Sequence, residues 1–253
     1  MKDFFPLKVI FSPAEAFAGL AEGAPGWGWP LALYIVSMAA SAFLLSALPP
    51  QFIAESFEGV ALQQGRGFLF YLAISLPGGL LFSIFTCGLI SAFTVFLRTG
   101  RLSPRLLLSA LIVGVFGILA VAVQDSSFLR PAGFFAALAA AGFALWTASR
   151  DKKRYPVILK AVLALGAVSI LADLAGGAAA LAGSVKVYTA SEYFFSLVSL
   201  IWLAKASAAV YDSGFPKAVS AAVLAMLGSS AFLFLLFNLR LLPPELFQVL
   251  LLI

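Results

Sequence analysis

Asp173 is the residue best placed to do chemistry. It lies nine residues before Ala182 in a long apolar stretch, among Ala172, Ala175, Gly176 and Gly177, which sets it about 13 Å below the end of a helix built there. An ionisable group at that depth is costly, so it is a candidate for holding a cation or relaying a proton. The small neighbours also permit close helix approach. The competing reading is therefore a carboxyl that is protonated, bonded to a serine or touching water, and that only joins helices. Pro77-Gly78-Gly79 is the second candidate. Proline removes a backbone donor and glycine relaxes steric restraint, and a helix broken there would turn carbonyls toward an ion or substrate. A kink relieved by Ser75 and Ser83, with Thr86 and Cys87 packed beyond it, is the structural alternative.

Other chemistries are excluded by residue type. The chain has no histidine, so it carries no Ser-His triad, no His-dependent zinc hydrolase site and no histidine-ligated haem. Its single cysteine, Cys87, excludes an intramolecular disulfide or a multi-cysteine metal cluster. An intramembrane aspartyl protease needs two carboxylates in contact. Asp212, the other aspartate to consider, falls in a loop at the opposite depth from Asp173, and Gly-x-Gly-Asp is absent. No phosphate-binding glycine loop is present either. Glu192 and Lys205 lie on one span and read as anchors that snorkel to opposite interfaces. No catalytic residue, metal, cofactor or nucleic-acid partner is expected.

The elements that would hold Asp173 and Pro77 follow from composition. Of 253 residues, 62% are hydrophobic and 11% charged, with a mean hydropathy of +1.06, against roughly 25% charge in a soluble domain. The expected fold is all-α: a polytopic membrane bundle of about seven spans, at residues 29–48, 68–97, 106–123, 131–148, 156–182, 188–210 and 218–237. Residues 241–253 are too short to cross, since a span needs roughly 20 apolar residues, and should be interfacial, re-entrant or packed into the bundle. Residues 1–28 form an N-terminal segment that lacks the pattern of a cleaved signal. Ser12-Pro13-Ala14-Glu15 predicts a capped helix from Pro13 to about Glu22. Phe11, Phe17 and Leu20 would lie on the membrane or dock on the bundle.

With the amino terminus inside, twelve lysines and arginines fall inside and four (Arg66, Arg130, Lys186 and Arg240) outside, as the positive-inside rule expects. All four tryptophans, Trp27, Trp29, Trp146 and Trp202, fall on the inner half. Prolines open five spans and the short tail, and the two exceptions are four helices apart. Trp29-Pro30-Leu31-Ala32-Leu33 also matches Tyr155-Pro156-Val157-Ile158-Leu159, and Phe82-Ser83-Ile84 matches Phe195-Ser196-Leu197. These pairs suggest parallel repeats over 29–149 and 155–253, within one transmembrane domain spanning 29–253.

The segment from Leu7 to Phe17, Leu-Lys-Val-Ile-Phe-Ser-Pro-Ala-Glu-Ala-Phe, with Pro30-Leu31 opening the first span, resembles the start of bacterial members of the Yip (Ypt-interacting protein) domain family. Arg98 to Ala110 with its Gly-x-x-Ser-Pro-Arg turn, and Ile201-Trp202-Leu203 leading to Gly214 and Pro216-Lys217, are similar too. The family usually has about five spans, and seven is a departure. The resemblance implies a non-enzymatic integral membrane protein. Together with the charge count, which puts the amino terminus in the cytoplasm, the expected role is a scaffold or interaction protein of a bacterial inner membrane, meeting the bilayer and protein partners at the cytoplasmic face. The alternative is a small permease or channel for an ion, lipid or amphiphile, using Asp173 and a broken second helix.

Overall fold

The computed structural model describes residues 4–23, 25–49, 52, 66–244, 246, 247 and 250, and these are helical with short connections and no strand. Two short helices, α1 (Phe5–Phe11) and α2 (Pro13–Ala21), precede α3 (Gly28–Ala47), α4 (Phe68–Arg98), α5 (Leu102–Asp125), α6 (Arg130–Arg150), α7 (Tyr155–Ala164), α8 (Gly166–Leu181), α9 (Val185–Tyr211) and α10 (Phe215–Asn238). Counting α7 and α8 together, seven segments are long and apolar enough to cross a membrane. Proline occupies the first turn of α1, α2, α6, α7 and α10, where its missing N–H costs nothing. Asp212 ends α9 in a left-handed conformation, φ 49°. The Ser213 N–H then bonds the Ala208 carbonyl at 3.1 Å, a Schellman-type closure that aspartate tolerates better than most side chains.

α4 is the central helix, packed on α3, α6, α7 and α10, while α3 also packs on α8, α8 on α9, and α10 on both α5 and α9. Half of the α4 span is buried inside the protein, against 17% for α5 and for the α6 span, so α5 and α6 form an outer wall for lipid. Two glycines set the closest approaches. A Cβ on Gly88 would lie 2.7 Å from the Ala144 carbonyl oxygen of α6, and one on Gly166 2.7 Å from the Leu33 carbonyl oxygen of α3. Such small-residue contacts drive helix association where lipid supplies no hydrophobic force.

The second span does not break. α4 runs without interruption from Phe68 to Arg98 with Pro77 inside it. The interruption lies instead in the fifth span, at Leu165 between α7 and α8. There the Leu165 N–H is shared between the Ala161 and Val162 carbonyls, each at 3.1 Å, a local tightening of the turn. The next residue is Gly166, pressed against α3, so the irregularity coincides with an interhelical approach and not with a proline.

The N-terminal helices dock on the bundle. Phe17, Leu20 and Val9 are fully buried, α2 packs on α9 and α7, and the Trp202 indole donates to the Val9 carbonyl at 2.8 Å. Phe11 alone of the three apolar residues singled out from sequence faces outward, 78% exposed. The Ser12 side chain makes no capping bond, so the expected capping box does not form. In the carboxyl-terminal segment, Phe247 and Leu250 are buried with Leu233 against Phe82 and Phe237. That piece is packed into the bundle.

One end of the bundle gathers the basic groups. Lys217 Nζ donates to the carbonyls of Arg98 and Gly100 at 3.0 and 3.2 Å, and Arg98 Nη1 to that of Tyr211 at 2.6 Å. These bonds join the end of α4 to the α9–α10 turn, while Arg154 sits 5.8 Å from the Tyr211 ring and brings in the α6–α7 turn. Cations cover three of the four indoles: Lys160 on Trp27, Arg150 on Trp146 and Lys205 on Trp202, at 4.7 to 5.1 Å. Aromatic rings with an apolar body beside snorkelling cations are the usual furniture of a membrane interface. This end is the basic surface of the bundle.

Candidate functional site

Asp173 lies on α8, eight residues before Leu181, and Glu192 lies on α9, seven residues after Val185. At 1.5 Å per residue both sit roughly 10–12 Å from the helix ends remote from the basic surface. Ser41 of α3, itself buried, donates through Oγ to Asp173 Oδ2 at 2.7 Å. Glu192 approaches the same region of α8 from α9. The reason is again a glycine: a Cβ on Gly176 would meet the Tyr188 ring at 3.1 Å and Glu192 Oε1 at 3.6 Å, so α9 lies close and its carboxylate reaches over α8. Glu192 is thus half-buried against the α8 face that carries Gly176, one turn from Asp173. Tyr188, buried and edge-on to Phe52 at 5.7 Å, closes the cluster. Chemically, the Ser41–Asp173 bond ties α3 to α8, and carboxyls at this depth can also hold a proton or a cation.

Pro77, Gly78 and Gly79 sit elsewhere. Gly79 faces α3, where a Cβ would be 3.0 Å from both Met38 Sδ and Tyr34 Oη, and Gly78 faces the carboxyl-terminal segment, 3.0 Å from Leu250 and 3.2 Å from Leu246. The glycines are thus filled by neighbouring side chains. The Tyr34 hydroxyl donates to the Leu76 carbonyl at 2.5 Å and Ser75 Oγ to that of Tyr71 at 2.7 Å, so hydroxyls engage α4 carbonyls on the turn before Pro77. Both candidates touch α3, at Tyr34 and at Ser41, but seven residues apart, about 10 Å along the helix. They do not form one site.

Several other polar groups also bridge helices. Thr86 and Ser229 share a hydrogen bond of 2.9 Å between α4 and α10. Thr147 donates to the Gly88 carbonyl at 3.1 Å, Tyr155 to that of Ile84 at 2.8 Å and Asn238 to that of Ala120 at 2.8 Å. Cys87 is buried. Among the described residues no three metal-ligating side chains come together, and Asp212 caps α9 at the basic surface, far from Asp173.

Sequence reasoning missed a polar cluster at the basic surface. Ser91 Oγ donates to Asp151 Oδ2 at 3.2 Å, linking α4 to the α6–α7 turn. Beside it Tyr211 is fully buried, and among the described residues its hydroxyl has no hydrogen-bond partner. The signal available was a tyrosine at the end of an apolar span next to a charged turn, which by itself reads as an interfacial ring.

No family model, curated protein or solved structure matches this chain.

Proposed function

We propose that this integral membrane protein is a non-enzymatic scaffold or interaction protein of the Yip-like type. Its basic surface would lie in the cytoplasm of a bacterial cell, available to protein partners. The observation that carries the reading is the use made of intramembrane polar groups: Ser41 with Asp173, Thr86 with Ser229, Thr147 with Gly88 and Asn238 with Ala120 each join two different helices. Polar atoms committed to interhelical bonds suit a bundle built to hold a shape. The permease reading loses its broken second helix, but keeps one specific support, the carboxyls of Asp173 and Glu192 near Gly176.

Asp173→Asn decides between them. The amide keeps shape and still accepts the Ser41 bond, and interhelical hydrogen bonds in membranes average only about 0.6 kcal/mol. In a scaffold the variant is expected to be silent in thermal stability and in any proteoliposome assay. A wild type that moves protons or ions while Asp173→Asn, equally stable, does not would sink the scaffold reading.

Orientation has its own test. Cysteines introduced at Lys152 and Thr99 should react with a membrane-impermeant maleimide only from the cytoplasmic side, and one at Ser126 only from outside. The wild-type Cys87 is buried and gives the background. Labelling of the Lys152 variant in intact cells would reverse the topology.

A further inference from the structure

α5 and α6 are consecutive in the chain yet separate inside the membrane. They meet at the end remote from the basic surface, where Ala120 and Val123 pack with Ala137 and a Cβ on Gly133 would lie 2.8 Å from Val123 Cγ2. Toward the basic surface each turns to another neighbour. α6 closes on α4 through Ala144 and Gly88, and α5 on α10 through Leu102 and Leu106 beside Leu224. Between them opens a cavity of about 520 Å³, walled by Phe93 and Phe96 of α4, Ser109 and Ile112 of α5, and Ala139 and Phe143 of α6. Among the described residues Ser109 supplies the only polar side chain of its lining. Ile112 and Phe143 are 56% and 45% exposed, so the cleft opens sideways, toward hydrocarbon.

Its basic end carries charge. Arg105 sits 5.0 Å over the Phe96 ring, anchored through Nη1 to the Phe96 carbonyl at 2.5 Å and to the Thr99 hydroxyl. Arg150 sits 4.9 Å over Trp146, whose indole stacks on Phe143 at 6.0 Å. One guanidinium thus stands on Phe96 of the α4 wall, and the other on Trp146, which stacks on Phe143 of the α6 wall. Ser109 is one turn from Arg105 and Phe143 two turns from Arg150, about 6 and 10 Å, which is the offset between headgroup height and the upper acyl chain.

We propose that this cleft binds an anionic phospholipid of the leaflet on the basic side, with one acyl chain between α5 and α6 and its phosphate between Arg105 and Arg150. An occupant entering from the hydrocarbon through an apolar mouth is a lipid before it is a polar solute. The paired cations then select a negative headgroup, as basic pockets between membrane helices do. The short side chains of Ala139 and its neighbours Ala136 and Ala140, which also line the cleft, leave the width for the chain. The site does not depend on whether the protein is a scaffold or a permease.

The test is native mass spectrometry of the full-length protein, delipidated in detergent and titrated with phosphatidylglycerol or phosphatidylcholine of equal chain length. One phosphatidylglycerol should be retained with a preference of about tenfold or more over phosphatidylcholine, the scale set by two cations near a headgroup. Ala139→Trp, which fills the cleft from α6, should abolish retention at unchanged melting temperature; Ile112→Trp does so from the opposite wall and serves where the first variant fails to fold. The double variant Arg105→Gln, Arg150→Gln should keep chain binding and lose the headgroup preference. Equal retention of both lipids, or undiminished retention in the filled variants, overturns the proposal. So does a lipid-free cleft in a protein that runs as a dimer, because the face would then belong to a second copy.

Discussion

Gly88→Val should unseat α4 from α6 and leave little folded protein. Even the first added atom, Cβ, would lie 2.7 Å from the Ala144 carbonyl oxygen and 2.8 Å from its Cβ, and both belong to helical backbone or its first side-chain atom, which cannot swing aside. Overpacking a core costs about 1–3 kcal/mol when side chains can adjust, so a backbone collision sits at or above the top of that range. The same separation would stretch the Thr147 bond to the Gly88 carbonyl, 3.1 Å in the native protein. Gly166→Val should behave alike, since its Cβ meets the Leu33 carbonyl at 2.7 Å and Ser37 Oγ at 2.8 Å. Gly114→Ala and Gly142→Ala supply the contrast: nothing lies within 4 Å of a Cβ at either position, and alanine is the better helix former by about 1 kcal/mol. Thermal unfolding in detergent, followed by size exclusion, reads all four. A Gly88→Val protein as stable as Gly142→Ala would mean that α4 and α6 do not touch there.

The second large effect belongs to Tyr211. It heads the fully buried side chains by volume, at the junction where Arg98 holds its carbonyl and Arg154 approaches its ring. Truncation to alanine opens an aromatic-sized cavity and should cost about 3–5 kcal/mol, with the α9–α10 turn released from α4. Tyr211→Phe should be neutral or slightly stabilising, because the hydroxyl is buried with no partner among the described residues and its removal relieves a desolvation penalty. If the phenylalanine variant instead melts nearly as low as the alanine one, the hydroxyl is bonded in solution to Ser91 or Asp151, and the cluster is a working polar network.

Much of this architecture was legible from the chain because lipid imposes a simple rule. A helix must satisfy its own backbone and be long enough to cross, so hydropathy located seven spans to within a few residues of α3 to α10. What could not be read was which helix lies beside which. Pro77-Gly78-Gly79 looked like a break because local chemistry permitted one, whereas the glycines accommodate Tyr34, Met38 and Leu250 and the helix continues. The irregularity at Leu165 had no proline to announce it, and its neighbour Leu33 lies far away in sequence. Asp173 stood out as a polar group in an apolar stretch, and a serine bond, such as the one from Ser41, was among the states anticipated. Its proximity to Glu192 required knowing that Gly176 lets α9 come close. For α2 the apolar face of Phe17 and Leu20 was visible, but an amphipathic pattern says only that a face is covered, not whether lipid or protein covers it.

The tryptophans give the molecule a property that none of its charges provides. Trp27, Trp29 and Trp146 are 40 to 51% exposed, Trp202 is partly covered where it meets Val9, and all four lie on the basic side of the bundle, so indole emission comes from one half of the bilayer alone. In a vesicle, a quencher confined to the outer solution therefore dims the molecules inserted with that half outward and spares the rest. The fraction of emission lost measures the orientation of a reconstituted population without any label.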